Sequence, residues 1–262
     1  MSALEAWVDA VGLLAPGITG WAQGRDILGG RAAYQAAPTA LAAPALLPPA
    51  ERRRASRLIK VALGVGLEAA AGVDTTALAT VFTSSSGDGY NCHALCETLA
   101  SSDRQVSPTR FHNSVHNAAA GYWGIATGAM TPSQVLCAYD ASFAAGLLEA
   151  LVQVAADRVP VLLICYDAEY PEPLHRVRPV PDAAGIALLL SPQRGGSSLA
   201  KLGARLDEAP ATTMAHGGLE SLRTAIPAMR GLPLLQLLAG AGGAAVLEYL
   251  APLQLRLEVT PC

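Results

Sequence analysis

Charge is what this sequence has little of. Only 15% of its 262 residues are Asp, Glu, Lys or Arg, and the formal net charge is -3. There is no basic footprint for nucleic acid and no polybasic stretch for anionic lipid, so neither partner is expected. The opening residues, Met1-Ser2-Ala3-Leu4-Glu5, lack a basic lead into an apolar run, which argues against a secretory signal and makes the cytoplasm the expected compartment. Cysteine is scarce and odd in number. Cys92, Cys96, Cys137, Cys165 and Cys262 show no zinc-type pairing and read as reduced, small buried hydrophobes. The charge-free stretch from Gly231 to Leu247 is interrupted by Pro233, Gln236 and glycines and stops at Glu248. It falls short of the roughly 20 apolar residues of a membrane span, so a buried helix or helical hairpin is expected there instead.

What the chain does have is apolar content, 52% of residues, enough to bury a sizeable core. Val8 to Leu14 reads as a strand ended by Ala-Pro-Gly, and Trp21 to Leu28 has helical spacing. The Ala- and Pro-rich stretch Ala32 to Pro49 suits an extended surface connection, and Ala50 to Ala71 reads as one helix with a basic first turn. Strands follow at Ala79 to Thr83, Val135 to Tyr139, Val159 to Tyr166 and Ala184 to Leu190, with helices at Cys92 to Leu99, Asn117 to Gly128 and Ala141 to Ala156 between them. Such alternation predicts an α/β fold, a mixed sheet with helices on its faces. The texture changes after Gly195, dividing the chain into a domain over 1–195 and a small α+β extension over 196–262 packed on the same core. There, Leu199 to Leu206 and Leu253 to Val259 are expected to pair as edge strands, with helical stretches at Leu219 to Ala225 and Leu234 to Leu238 between them.

Ala141 to Ala156 carries Glu149 as its only charge, with Leu147, Leu148, Leu151, Val152 and Val154 spread around the helical wheel. A helix apolar on every side must be buried on every side, either by a large core of this chain or by a second subunit.

The order and motifs resemble the amino-terminal half of the ketosynthase (thiolase-like) superfamily over about Val8 to Pro192. The general features are the Val11 to Gly17 strand and turn, Trp21 with Leu28-Gly29, the arginines of Arg52 to Lys60, and the small-residue turn after Val81-Phe82-Thr83. More specific is Asn113 to Phe143, which resembles the family's Asn-x-x-x-Gly helix, Gly-x-x-x-Pro-Ser turn, strand and nucleophile elbow. Asn117, Gly121, Gly128, Pro132 and Ser133 fall on that spacing without a gap.

The same resemblance places Asp140 where catalytic relatives carry a cysteine at the head of the buried helix. A carboxylate there is tolerated by the helix dipole but does not readily take an acyl group as a thioester. His216-Gly217-Gly218-Leu219 does not match the family's histidine motifs, and the chain ends before a carboxy-terminal half could be built. Together with Phe111 to Asn117 and the Leu257 to Cys262 ending, this pattern resembles the short chain-length-factor-like proteins of aryl polyene pathways. It implies a subunit without its own condensing chemistry that forms a heterodimer with a ketosynthase, meets acyl carrier protein through that complex, and shapes the partner's acyl tunnel. The strand before the elbow would join the two sheets. Arg110, Phe111, Val115, His116, Val135, Leu136, Cys137 and Tyr139 are the implied tunnel and interface residues. No catalytic residue is expected, and Asp140 would serve as a helix cap bonded to the Ser142 amide or a nearby hydroxyl.

Two other readings stay open. The chain could be an acyl transferase or thioesterase in its own right, using Asp140 with His116, or Cys137 as nucleophile. It could also be a homodimeric scaffold, since isologous pairing through one strand is geometrically easy. His112 and His116 are four apart, and Cys92-His93 with Cys96 forms a second ligand-like grouping. Neither has a third ligand at suitable spacing, so no metal and no cofactor is expected.

Overall fold

The computed structural model describes residues 4–262. Its first strand, β1 (Leu4–Leu14), is followed by helix α1 (Trp21–Leu28), and then by an extended connection without regular structure up to α2 (Pro49–Arg54) and α3 (Arg57–Ala69). The chain continues through β2 (Ala79–Thr83), α4 (Gly89–Ala100), α5 (Pro108–Asn113), α6 (Ala118–Thr127), β3 (Ser133–Leu136), α7 (Ser142–Asp157), β4 (Val161–Asp167), α8 (Leu174–Val177) and β5 (Ala184–Ser191). It ends with β6 (Ala200–Asp207), α9 (Gly217–Ala225), α10 (Leu232–Ala239), β7 (Gly243–Leu247) and β8 (Gln254–Pro261).

All eight strands form one sheet in the order β3-β2-β4-β5-β1-β6-β8-β7. β2 runs parallel to β3 and β4, and the remaining pairs are antiparallel. The fold is therefore the α/β mixed sheet that the sequence leads one to expect. β4 shows why its sequence is an unbroken apolar run. Every one of its residues is buried, with Val161, Leu163 and Cys165 in the core on one face and Leu162, Ile164 and Tyr166 in the core on the other. Phe143, Leu147, Leu151 and Val154 of α7 fill the first core, and Ile59, Ala62 and Leu63 of α3 fill the second. Both helices lie very close to the sheet. A Cβ on Gly12 would sit 2.0 Å from the Val65 carbonyl oxygen, and one on Gly146 would sit 2.6 Å from Thr83 Cγ2.

Several expectations are corrected. The helix predicted from Ala50 to Ala71 is two helices, because Ala55 and Ser56 are extended and Ser56 Oγ accepts from the Ile59 amide at the start of α3. The strand before the elbow stops at Leu136, and Tyr139 belongs to a 3-10 turn, Tyr139–Ala141. β6 and β8 do pair with one another, but neither is an edge strand, since β6 lies between β1 and β8 and β8 lies between β6 and β7. The edge is β7, hidden in the charge-free stretch where a buried helix or helical hairpin was expected. Gly242 and Gly243 have positive φ, ending the helical path, and a Cβ on Gly242 would meet the Val259 carbonyl oxygen at 2.4 Å. Finally, this chain's own core does not enclose α7 on every side, so of the two alternatives for covering it the large-core one fails. The core face of the helix is covered by this chain's own sheet, whereas Val152 is 43% exposed. Among the described residues no helix is long and apolar enough to cross a membrane.

The contrast within α7 is measurable. Leu147→Ala removes a fully buried side chain and should lower unfolding free energy by about 2–5 kcal/mol. Val152→Ala, on the open face, should stay within about 0.5 kcal/mol of the parent in urea denaturation. Equal losses at the two positions would show that the open face is packed in solution.

Candidate functional site

The three parallel strands β3, β2 and β4 lie side by side at one end of the sheet, so their carboxyl ends deliver three segments to one place. These are the turn Ser84 to Gly89, the elbow Cys137 to Ala141, and the connection that follows Asp167.

The elbow is a strained reversal held by its own hydroxyl. Tyr139 has a φ of 53°, the left-handed region that a side chain with a Cβ adopts only when its surroundings impose it. Ser142 Oγ accepts from the Ala138 amide at 3.1 Å and donates to the Tyr139 carbonyl at 2.7 Å, while Thr83 Oγ1 donates to the Ser142 carbonyl at 2.9 Å. Tyr139 points outward, 61% exposed, beneath the Arg178 guanidinium, whose carbon lies 3.6 Å from the ring centroid.

Asp140 is not the helix cap expected of it. The start of α7 has no side-chain cap bond. The carboxylate instead accepts from Arg178 Nη2 at 2.8 Å, with Arg230 Nη2 3.8 Å away. Arg230 comes from a 3-10 turn, Pro227–Gly231, and also pairs with Glu248, which in turn meets Arg223 at 3.2 Å. Arg223 closes the chain of charges on Glu220 at 2.6 Å, and holds that carboxyl well down, at about 2. Three acids and three arginines thus alternate from the elbow to α9.

A buried anchor ties the end of β4 to the Ser84 to Gly89 turn and to the 3-10 turn Pro227–Gly231. Asp167, the last residue of β4, accepts from the Ser85 amide at 2.8 Å, the Ala228 amide at 2.8 Å and Ser84 Oγ at 3.3 Å. Burial pushes its carboxyl up to about 6, against the opposing pull of those hydrogen bonds.

Of the other expected site residues, Val135 and Leu136 are half-buried on β3, which has a hydrogen-bonded neighbour on one side only. Cys137 is exposed, and its thiol donates to the Ser85 carbonyl at 3.0 Å. Arg110 and Phe111 lie on the exposed side of α5, Phe111 being 64% exposed, and Val115 follows just after, also exposed. His116 is half-buried over Gly87, its Nε2 buried without a hydrogen-bond partner among the described residues. The turn Ser84 to Gly89 therefore has the elbow's Cys137 on one side and His116 on the other. The charged partners recorded for Asp140 are Arg178 and Arg230, and no hydrogen bond links it to His116. Among the described residues no group of three His, Cys, Asp or Glu side chains is arranged to hold a metal ion.

The sequence reading missed Arg178, Arg230, Asp167 and Asn113. Asn113 is buried, donates to the Arg54 carbonyl at 3.3 Å and accepts from the Tyr122 hydroxyl at 3.2 Å, pinning α5 against α2 and α6. Its place in the Asn113 to Phe143 motif was visible, but its role needed the fold.

Asp167 makes stability depend on pH. A carboxyl whose pKa is raised by folding binds its proton more tightly in the folded state, so stability rises as pH falls from about 6 toward the ordinary carboxylate value. The destabilisation is fully present at pH 7. Asp167→Asn should remove this gain, which amounts to roughly 3 kcal/mol at most between pH 7 and pH 4. Urea midpoints of both proteins across that range test it, and parallel pH profiles would refute it.

The comparisons with known proteins agree with this geometry. No curated protein matches the chain. Among solved structures, it is similar to a chain of the complex of a ketosynthase with its chain length factor from Xenorhabdus doucetiae, at 23% identity and a TM-score of 0.74, over 97% of this chain and 99% of that one. It is also similar to the ishigamide ketosynthase/chain length factor, at 14% identity and a TM-score of 0.73, over 98% and 99% of the two chains. A ketosynthase from module 6 of the bacillaene synthase of Bacillus subtilis matches at 12% identity and a TM-score of 0.58, over 84% of this chain but 44% of that one. At these identities the likeness shows a shared thiolase-like fold. The family model described as "Beta-ketoacyl synthase, N-terminal domain" matches residues 21–232, and on that match the chain belongs to the beta-ketoacyl synthase N-terminal-domain family.

Proposed function

We propose that this chain is a chain-length-factor subunit: it pairs with a catalytic ketosynthase, contributes wall to the partner's acyl tunnel, and leaves carbon–carbon bond formation on acyl carrier protein to that partner's residues. The observation that carries this reading is the state of the elbow. Where the family resemblance places the nucleophile, Asp140 holds Arg178 and stands beside Arg230. A carboxylate paired with a guanidinium is a weakened nucleophile, because the ion pair offsets its charge and one of its oxygens already accepts an N–H.

The rival readings fare less well on the same geometry. An acyl transferase using Asp140 with His116 lacks a hydrogen bond between the two groups. One using Cys137 starts from a thiol that donates to a backbone carbonyl, with no base as its acceptor. A partner subunit is further supported by what remains open: an unpaired β3 edge with exposed Phe111, Val115 and Tyr139 on nearby segments. The product class we assign is a polyketide or polyene chain of the aryl polyene type, on the motif resemblance around Asn113 to Phe143. Arg110, Phe111, Val115, His116, Val135, Leu136, Cys137 and Tyr139 are the proposed interface and tunnel residues.

Coexpression with a ketosynthase from the same gene neighbourhood should yield a one-to-one complex by native mass measurement. The isolated chain should neither become acylated nor extend a malonyl-loaded carrier, and Asp140→Cys alone should not confer either activity. Acylation of the isolated parent chain would overturn the proposal. Within the complex, Phe111→Ala or Val115→Ala should shift products toward longer chains, since overlap with a close-packed wall is what limits length. An unchanged product distribution for both variants would remove these residues from the tunnel.

A further inference from the structure

The connection between α1 and α2 is rich in Ala and Pro and forms no regular element, yet it is firmly held at two points. Near its middle, the Thr39 amide donates to Asp182 Oδ2 at 2.7 Å and the Thr39 hydroxyl to the Ala183 carbonyl at 2.7 Å. Towards its end, Arg52 Nη2 donates to the Ala45 and Leu47 carbonyls at 2.8 and 2.9 Å, and the Leu47 side chain is buried. Between these anchors the chain forms one wall of a cleft of about 410 Å³, within the roughly 300–1,000 Å³ of small-molecule sites. The facing wall is the α3 surface made by Lys60, Leu63, Gly64, Leu67 and Glu68. Gly64 lies in the interior of α3, where glycine is destabilising relative to alanine. A Cβ there would sit 2.8 Å from Leu14 Cδ1, so the bare backbone keeps the cleft open.

The two charged residues of the lining, Lys60 and Glu68, are not equivalent. Both Glu68 oxygens are spent inside the protein, Oε2 accepting from the Leu13 amide at 2.9 Å and Oε1 from the Trp21 amide at 2.6 Å. Lys60 is half-buried and enters no salt bridge among the described residues, whereas Arg57, one turn earlier, is paired with both Glu169 and Asp182. Eight residues of helix separate the two charges by about 12 Å, beyond the screening length of about 8 Å in physiological salt. An apolar cleft with one unspent ammonium matches a ligand with an aliphatic body and a single negative end. We propose that this cleft binds a free aliphatic monocarboxylate, its chain along Leu14, Leu46 and Leu67 and its carboxylate on the Lys60 ammonium. A chain held as a carrier-bound thioester has no charge to offer Lys60, so the site distinguishes a released acid from a loaded carrier. None of the residues proposed for the tunnel lines this cleft, and the inference stands or falls independently of the chain-length-factor reading.

Three probes of equal chain length separate the apolar from the charged contribution: octanoate, octanol and octylamine, titrated calorimetrically into the full chain at neutral pH. Octanoate should bind at least threefold more tightly than either of the others. Lys60→Met keeps the aliphatic stem and should bring octanoate down to the affinity of octanol, and Lys60→Glu should reverse the preference in favour of octylamine. Ala43→Trp fills the cleft from its exposed wall, so it should weaken all three probes about tenfold while the melting temperature stays that of the parent. Failure of octanoate to bind, a preference below threefold in the parent, or a preference that survives Lys60→Met and Lys60→Glu would overturn the inference. Unchanged octanoate binding in a folded Ala43→Trp variant would overturn it as well, by moving the ligand to another place.

Discussion

Three segments distant in sequence meet at the carboxylate of Asp140: the elbow itself, the connection bearing Arg178 and the 3-10 turn bearing Arg230. Neither ion pair is strong alone. Asp140 is partly open to solvent, and pairs of that kind contribute about 1 kcal/mol or less. What makes the residue hard to replace is its surroundings. Arg178 and Arg230 are mostly buried, and both have an Nε without a partner, so they already have fewer acceptors than donors. Removing the carboxylate would leave Arg178 without its ion-pair partner, which is more costly than the pair is stabilising. The structure therefore depends on a charge at the head of α7.

The rest of the region follows from that constraint. Arg178 cannot both pair with Asp140 and lie elsewhere, so it stacks on Tyr139 and fixes the ring at the open end of β3. Arg230 links the elbow to Glu248 and through it to Arg223 and Glu220, joining the first half of the chain to the helices and strand that come after Gly195. Asp167 adds a bond from the end of β4 to the same 3-10 turn through the Ala228 amide. The residues after Gly195 are thereby tied to the earlier part of the chain twice, to the elbow by a charge network and to the end of β4 and the Ser84 turn by a buried carboxylate.

How far this could be read from residues alone depends on the range of the interaction. The motif from Asn113 to Phe143 was legible because glycines, a proline and small polar residues set its turns locally, and the observed α6 and β3 fall within it and α7 starts at its end. β4 was legible because complete burial writes itself as an unbroken apolar run. The break at Ala55 and Ser56 was missed although a serine before an apolar repeat is a helix-start signal, because the arginines of α2 continue a helical spacing across it. β7 was missed because five small and apolar residues without charge have no distinguishing period. The Asp140 network was out of reach altogether. Arg178 lies 38 residues along the chain from Asp140, and nothing local to either residue specifies the other.

The apolar surface left over is the remaining physical problem. Phe111, Val115 and Tyr139 face solvent and β3 has one free edge, whereas the opposite edge of the sheet is shielded. There Thr212 donates its amide to the Val246 carbonyl and accepts the Val246 amide on its hydroxyl. The difference between the two edges is informative. Edges that must not pair are ordinarily protected with charge, proline or a covering loop, and under the proposed function the bare edge is where the second subunit docks. This chain protects the far edge, keeps the near edge bare, and rigidifies the near side with Asn113, Ser142 and the Asp140 pairs. Rigid presentation reduces the ordering cost of association, so under the proposed function the bonds that fix the elbow would also favour docking of a second subunit against it.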